Sequence, residues 1–418
     1  MKLISISLSP NVFGEDIRAA KTMLKEPSQW VKGEYIKEFE HTFEQYFKVE
    51  PEQIFTFNSG RSALLTILQS FGIGKGDEVM LQAFTCNAVP NPVIWVGAKP
   101  VYVDVKEDTC NMNVKDVEKK ITSKSKAIIV QHTFGSPAEL DEILKIARKH
   151  NLFVIEDCAH ALGSTYKGKL VGTFGDAAFF SFGRDKVISS VYGGSAIVKL
   201  KAISYKLEAI YENLPYPSTR WIKQQLRHPL CISVLLQWYN APLPNYGIGK
   251  FLLQLSQISR YLSKAVHWRE KIGQKPDYFP ARLPNALAYL ALTQFKRLDE
   301  FNKHRRELAD FYYESFIQDT RYKIQDTKNE SIFLRYPIRN PKAYEIIRKA
   351  RTRGILLGDW YSSPVAPDDT NLSAMHYQKG FCPAAEKLAL ETFNLPTNPN
   401  LSLDDAKRVV EFLKTLRI

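Results

Sequence analysis

Side chains capable of chemistry follow two successive apolar segments in the middle of the chain. Asp157 and His160 follow the first segment, and Ser181 and Lys186 follow the second. Short apolar runs of this kind indicate buried strands. In an open α/β sheet, ligands bind in the crevice outside the carboxyl ends of the strands. The arrangement therefore predicts that an acid and a lysine face one crevice.

An aspartate and a lysine in such a crevice suit the chemistry of pyridoxal phosphate. The lysine amine forms a Schiff base with the aldehyde of this cofactor, and a carboxylate keeps the ring nitrogen protonated so that the ring accepts electrons. Lys186 and Asp157 fit these two roles. The same residue types also occur as solvated loop lysines and as aspartates that cap a helix or a turn. On these two residues alone, both interpretations are open.

A longer comparison of motifs favours the cofactor. Residues 156–186 closely resemble the DegT/StrS family of sugar aminotransferases, which has a D-x-A-[QH]-A stretch, a glycine-rich turn and then S-F-x-x-x-K. The matching positions are Asp157, Ala159, His160, Ala161, Ser181, Phe182 and Lys186. Further stretches agree in the same order at 58–60, 76–79, 382–386 and 395–396. The resemblance covers roughly residues 1–200 and 280–418.

The resemblance implies a fold-type-I pyridoxal phosphate transferase. Such a protein is α/β, with a mostly parallel central sheet flanked by helices and a smaller C-terminal α/β domain. The resemblance also implies a homodimer that moves an amino group from an amino acid, which we expect to be glutamate, to a keto group of a nucleotide-linked sugar. Lys186 then serves first as the Schiff-base partner and afterwards as the general base. We expect a cytoplasmic enzyme of polysaccharide biosynthesis.

The resemblance assigns further residues to the expected cofactor site. A glycine turn that opens a helix offers free backbone N–H groups and the positive end of the helix dipole, which suit a phosphate. The residues expected to hold the phosphate are Gly60, Arg61, Ser62 and Ser181. His160 and Cys86 are expected to bracket the cofactor ring.

Four positions depart from the family pattern. Arg61 replaces a threonine, Cys86 replaces an aromatic residue, Tyr192 replaces a glutamate, and Pro280 lies where an asparagine of the partner subunit often reaches the phosphate. Arg61 is able to pair with the phosphate itself. These departures keep open a non-catalytic binding or regulatory protein of the same fold. A dehydratase of the same fold is a further alternative, although members with that activity tend to lack the lysine.

The pattern of apolar segments predicts which elements position these residues. Strands alternating with helices argue for a mostly parallel sheet with right-handed crossovers. We expect strands at 54–57, 78–81, 101–104, 127–130, 153–155 and 177–180, and helices at 15–24, 35–47 and 141–150. The predicted domains are a large cofactor-binding domain (1–200), a basic, aromatic-rich helical insertion (201–280), and a long helix at 286–316 with a small C-terminal domain (281–418).

The net charge of +13 is unevenly distributed. No Asp or Glu occurs from Asn213 to Arg269, whereas Lys and Arg recur throughout that stretch. Together with Trp221, Trp238 and Trp268, these cations predict a peripheral contact with an anionic membrane. The alternative, which we favour, is an insertion that packs on its own domain or on a dimer partner.

Other classes of protein are disfavoured by the sequence. It contains no recognisable nucleic-acid-binding motif, and its apolar runs are too short to span a membrane. The first residues lack the apolar run of a secretory signal. The five cysteines are widely spaced without a C-x-x-C pair, so we expect neither disulfides nor a metal site.

Overall fold

The computed structural model of the protein describes residues 3–239, 242–243, 246–326 and 330–417. Its largest sheet has seven strands in the spatial order β1-β7-β6-β5-β4-β2-β3. In chain order these strands are β1 (Ile54–Phe57), β2 (Glu78–Gln82), β3 (Lys99–Val103), β4 (Ser125–Gln131), β5 (Phe153–Asp157), β6 (Ala177–Ser181) and β7 (Gly194–Val198). Of the seven strands described, β7 alone runs opposite to the other six. The predicted parallel α/β architecture is therefore confirmed.

Helices surround the sheet and continue to the end of the chain. Within the described residues they are α1 (Gly14–Lys25), α2 (Glu34–Phe47), α3 (Gly60–Ser70), α4 (Pro90–Trp95), α5 (Val114–Lys120), α6 (Leu140–His150), α7 (Lys201–Glu212), α8 (Thr219–Leu235), α9 (Ile248–Ile258), α10 (Asn285–Phe295), α11 (Leu298–Phe316), α12 (Ala343–Thr352), α13 (Pro383–Glu391) and α14 (Leu403–Thr415). The helices predicted at 15–24, 35–47 and 141–150 agree with α1, α2 and α6 to within one residue at each end.

Both faces of the central sheet are covered, which explains why its strands are continuous apolar runs. Along β4, Ile128 and Val130 enter one hydrophobic cluster, while Ala127 and Ile129 enter a second cluster on the opposite face. This alternation follows from the two-residue period of a strand. Residues of α2, α6 and α10 cover the first face, and residues of α3 and α4 cover the second.

The single long helix predicted at 286–316 is wrong, because the structure contains two helices, α10 and α11. The break lies at Lys296 and Arg297, and Arg297 has the non-helical dihedral angles φ −113° and ψ 11°. Its guanidinium pairs with the carboxylate of Asp16 on α1 at 2.8 Å. The apolar spacing persists through the break, so periodicity alone did not reveal it.

A smaller unit follows the central sheet in the chain. Its sheet consists of β8 (Lys323–Ile324), β9 (Arg335–Arg339) and β10 (Thr392–Pro396), paired antiparallel with β9 in the middle. Residues of α11, α12 and α14 complete its hydrophobic cluster. The N-terminal strand Ile4–Ser5 also belongs here, since it pairs with Ile355–Leu356. Residues of α10 enter the hydrophobic cluster on the first face of the central sheet.

The basic insertion divides into a packed part and an exposed part. Helix α8 packs against α1 and α10, and its Trp221, Ile222 and Leu226 are buried in the large-domain core. Helix α9 instead exposes apolar side chains, including Phe251, Leu255 and Ile258. Across the described residues, no helix is both long and apolar enough to span a membrane.

Candidate active site

One cavity collects most of the side chains that the sequence singled out. The predicted residues that line it are Gly60, Arg61, Cys86, Asp157, His160, Ser181 and Lys186. It opens at the carboxyl ends of adjacent parallel strands, because Asp157 is the last residue of β5 and Ser181 is the last residue of β6. Asp157 and Lys186 therefore line the same cavity, at the edge of the sheet where the sequence predicts a crevice.

Ser62 is the one predicted site residue that the structure does not place in the cavity. Its backbone N–H donates to the hydroxyl of Ser59, the N-cap of α3, at 3.1 Å. Its own hydroxyl donates to Asn58 Oδ1 at 2.6 Å, and the residue is fully buried. The polar groups of Ser62 thus contact the start of the helix, and Ser62 does not line the cavity.

The chain around Lys186 is held by a residue near the N-terminus. Asn11 donates through Nδ2 to the carbonyl oxygens of Lys186, at 2.7 Å, and Val187, at 3.1 Å. Burial lowers the pKa of the Lys186 amine from its ordinary value, and the charge of Arg335 lowers it further. A lowered pKa increases the fraction of uncharged amine at neutral pH, which is the form that attacks a carbonyl or accepts a proton.

The carboxylate of Asp157 faces the cavity with little support from the rest of the protein. It accepts one hydrogen bond from the backbone N–H of Ala159 at 3.0 Å, and no other is recorded within the described ranges. Burial raises its pKa, while Ala159 and the charge of Lys186 oppose that rise. A buried carboxylate in this state is suited to a cationic or N–H partner supplied by a ligand.

His160 presents a neutral aromatic ring to the same cavity. Burial holds its pKa well below the ordinary range, and the charges of Lys186 and Arg335 act in the same direction. The ring lies nearly parallel to that of Trp360, with centroids 5.4 Å apart. Its Nδ1 atom is buried without a hydrogen-bond partner in the part of the chain described. A flat, uncharged ring of this kind can stack on a planar ligand.

The opposite end of the cavity is formed by the start of α3. A Cβ at Gly60 would lie 3.1 Å from the carbonyl oxygen of Phe180, a tight contact that glycine avoids. Behind it, a Cβ at Gly194 would collide with the backbone of Ser59 and Gly60. The first N–H groups of a helix have no partner within the helix, and here those of Gly60 and Arg61 adjoin the cavity.

The guanidinium of Arg61 is already paired inside the protein. It forms a short ion pair with Glu270, whose side chain is completely buried, while that of Arg61 is 13% exposed. The ring of Phe279 lies 4.8 Å from the same guanidinium. Asn91 donates to the backbone oxygen of Glu270 at 2.9 Å and fixes that segment. The carboxylate of Glu270 therefore already neutralises most of the charge that Arg61 could offer to a phosphate.

The end of the basic insertion forms one wall of the cavity. Tyr192, which stands where the family has a glutamate, donates its hydroxyl proton to the carbonyl oxygen of Lys264 at 2.6 Å. Arg184 donates to the carbonyl oxygen of Ser263 at 2.9 Å. The next residues, Ala265 and Val266, line the cavity itself. The last residues of the insertion are therefore part of the site.

Two aromatic residues of the cavity, which pack against the second face of the central sheet, were not predicted from the sequence. Trp360 and Tyr361 line the cavity, and their rings are parallel to within 3°. An aromatic pair directly after Gly358-Asp359, following a short strand, was the available signal. Glu270 was missed as well, although it is the first acidic residue after the acid-free stretch.

The cavity residues fit pyridoxal phosphate. Asp157 offers an acceptor for a ring N–H, His160 offers a ring face with an unpartnered nitrogen, and Lys186 offers an amine of lowered pKa. The N–H groups at Gly60 and the hydroxyl of Ser181 would hold the phosphate. When bound, this cofactor supplies an electron sink for reactions at the carbon that bears an amino group.

Comparisons with known proteins find one matching family and several relatives. A model of the DegT/DnrJ/EryC1/StrS aminotransferase family matches residues 12–213 and 256–414. The GDP-perosamine synthase of Escherichia coli O157:H7 is 30% identical over 98% of both chains. A pleiotropic regulatory protein of Geobacillus stearothermophilus is 28% identical over 92% of this chain and 90% of its own. The PLP form of a putative sugar aminotransferase from Streptococcus pneumoniae superposes with a TM-score of 0.75 at 23% identity, covering 99% of this chain and 98% of that one.

Proposed function

Because the chain belongs to the DegT/DnrJ/EryC1/StrS aminotransferase family, whose members use pyridoxal phosphate, we propose that it transfers an amino group from glutamate to a keto group of a nucleotide-linked sugar. The observation that carries this proposal is the meeting of Asp157 and Lys186 in one cavity at the ends of two adjacent strands. The similarity to a GDP-perosamine synthase supports a nucleotide-linked acceptor.

Each residue has a separate task in the proposed reaction. The Lys186 amine would bind the cofactor and, when free, would move a proton between carbon atoms of the substrate, for which its lowered pKa suits it. The Asp157 carboxylate holds the proton at the ring nitrogen. His160 fixes the plane of the ring, and the wall made by Ala265 and Val266 excludes water from that side.

The test is a visible absorbance spectrum of the purified protein with added pyridoxal phosphate, before and after glutamate. We expect a lysine-dependent band in the wild type that is lost when glutamate arrives. Lys186→Ala should show no such band, while Lys167→Ala, which removes an exposed lysine paired with Asp141, should behave as the wild type. Turnover is then measured with keto sugars linked to GDP, UDP or dTDP.

Two outcomes favour the alternatives. A band that ignores glutamate and every other amino acid would direct attention to a dehydratase. Absence of any lysine-dependent band would support a non-catalytic regulator, a possibility that the similarity to a pleiotropic regulatory protein keeps open.

We further propose a homodimer and a peripheral contact with anionic lipid, neither of which follows from the active site. Light scattering of the holoenzyme tests the first, and a monomer mass would refute it. The second rests on the exposed apolar face of α9 in a stretch without acidic residues. An anionic surface complements such a basic face, whereas a second copy would bring like charges together.

A further inference from the structure

A buried arginine behind the cavity has no charged partner. Arg335 on β9 is 2% exposed, and its Nη2 atom is buried without a hydrogen bond. The described residues provide no ion pair to this guanidinium. Burial lowers its pKa, and Asp185 and Asp359 only partly oppose this from a distance. Burying an unpaired cation is unfavourable, so the position requires an explanation other than stability.

Asn394 provides a second unpaired donor in the same place. It is fully buried on β10, the strand next to β9, and its Nδ2 atom has no partner among the residues described. Arg335 Nη1 and Asn394 Oδ1 each lie 3.0 Å from the point that a Cβ on Gly358 would occupy. The two side chains therefore flank one glycine, and any larger residue there would crowd both of them.

Trp360 connects this pair to the cavity. Its ring centroid lies 3.4 Å from the Arg335 guanidinium and 5.5 Å from the Lys186 amine. Its backbone N–H donates to Asn394 Oδ1 at 3.2 Å, which holds the ring near both donors. The ring also lines the cavity. A single aromatic side chain thus contacts both the reactive amine and the unpaired guanidinium.

We propose that Arg335 and Asn394 bind the α-carboxylate of the amino-acid donor, with Trp360 covering the guanidinium until the carboxylate replaces the ring contact. This proposal rests on the proposed aminotransferase function and adds the donor subsite to it. A guanidinium and an amide N–H₂ are complementary to the planar, negatively charged carboxylate. The phosphate of the cofactor belongs at the other end of the cavity, beside Gly60.

The first test compares two amines in single-turnover absorbance measurements on the holoenzyme. L-Glutamate and 4-aminobutyrate differ only by the α-carboxylate. Arg335→Met should lower the ratio of the rate constant at subsaturating glutamate to that with 4-aminobutyrate by about 100-fold, because any effect of the Arg335 charge on the Lys186 amine is common to both amines. Arg335→Lys should recover part of the loss. Arg339→Met, on the same strand but paired with Glu107, should leave the ratio of the two rates as in the wild type.

The second test needs no turnover. 2-Oxoglutarate, which carries the same α-carboxylate, should raise the melting temperature of wild-type holoenzyme and should not raise that of Arg335→Met. Without ligand, Arg335→Met should melt at or above the wild-type temperature, because it removes an unpaired buried charge. A structural arginine would instead lower it.

The outcomes separate the subsite from the proposed function. Equal losses with both amines, or a wild-type response of Arg335→Met to 2-oxoglutarate, would overturn the subsite while transamination stands. The subsite and the aminotransferase function would both be overturned by one result. In that result the wild-type protein forms the lysine-dependent band, but it reacts with no amino acid and is not stabilised by 2-oxoglutarate.

Discussion

Glu270 forms a buried ion pair with Arg61 across the wall of the cavity, joining the last part of the basic insertion to the first turn of α3. Glu270→Gln keeps the shape but removes the negative charge. Because the Arg61 cation would stay largely buried, we expect the free energy of unfolding to fall by about 3–5 kcal/mol, measured by urea denaturation of the holoenzyme.

Two further variants control this result. Asp404→Asn removes one partner of an exposed pair with Lys407 and should not change the urea midpoint measurably. The double variant Arg61→Leu with Glu270→Leu should recover much of the stability lost in Glu270→Gln. If Glu270→Gln is as stable as the wild type, the ion pair between Arg61 and Glu270 does not stabilise the folded protein.

Glu156 should make stability depend on pH in the acidic range. Its carboxylate accepts backbone N–H groups from Gly172 at 2.8 Å and from Phe174 and Gly175 at 2.7 Å. Burial alone would raise its pKa, but these bonds and the one from His132 outweigh burial and lower it. The folded pKa thus lies below the unfolded one, so the stabilisation is complete above the usual glutamate pKa of about 4.3 and is lost as pH falls through the folded value.

The measurement for Glu156 is the melting temperature between pH 7 and pH 3. Glu156→Gln should be less stable than the wild type at pH 7 by about 3 kcal/mol, because an amide cannot accept all of these hydrogen bonds. The difference should shrink at acidic pH as the wild-type carboxylate is protonated. A difference that is constant over the whole range would contradict a charged Glu156 in the folded protein.

Gly194 should tolerate no side chain, since its Cβ would collide with the backbone at Gly60. We expect Gly194→Ala to lose about 1–3 kcal/mol of stability and to bind pyridoxal phosphate more weakly, because the start of α3 must move. Cofactor titration and urea denaturation measure the two effects. Gly74→Ala is the matched control, since its new Cβ would lie 3.6 Å from the nearest atom, the carbonyl oxygen of Val96.

The face of α9 should bind vesicles that contain anionic lipid. We expect the wild type to sediment with vesicles of phosphatidylglycerol at low salt and to be released at high salt, because the attraction between charges is screened. Phe251→Ser with Leu255→Ser should weaken sedimentation. Leu390→Ser, an exposed leucine on α13, should not. Sedimentation that does not depend on salt, or equal sedimentation with neutral vesicles, would contradict a contact with anionic lipid.

The cofactor end of the site was predictable from sequence because its residues follow strands within a continuous stretch. Asp157, Ser181 and Lys186 are brought together by two adjacent parallel strands, and apolar runs reveal such strands. The walls of the cavity were not predictable in this way. Trp360 and Glu270 reach the cavity from separate parts of the chain, and local patterns carry no information on such distant contacts.

The fold shows the same division between local and distant determinants. The strand predicted at 54–57 agrees with β1 residue for residue. At the break, Arg297 contacts Asp16, which lies far away in the chain, so local patterns carry no information on that contact. The placement of Ser62 outside the cavity was not predictable for a related reason. A serine in a helix-opening turn is able to face a ligand or to bond within the turn, and here it bonds to Asn58 and Ser59.

Because residues 263–270 form a wall of the cavity, the insertion is difficult to replace with the corresponding segment of a related protein. In a chimaera whose grafted loop lacks Ser263 and Glu270, Arg184 would lose its contact with the Ser263 hydroxyl and Arg61 would lose its ion pair. A designer who wishes to alter the surface helices should therefore join the foreign sequence before Ser263 and retain everything after it.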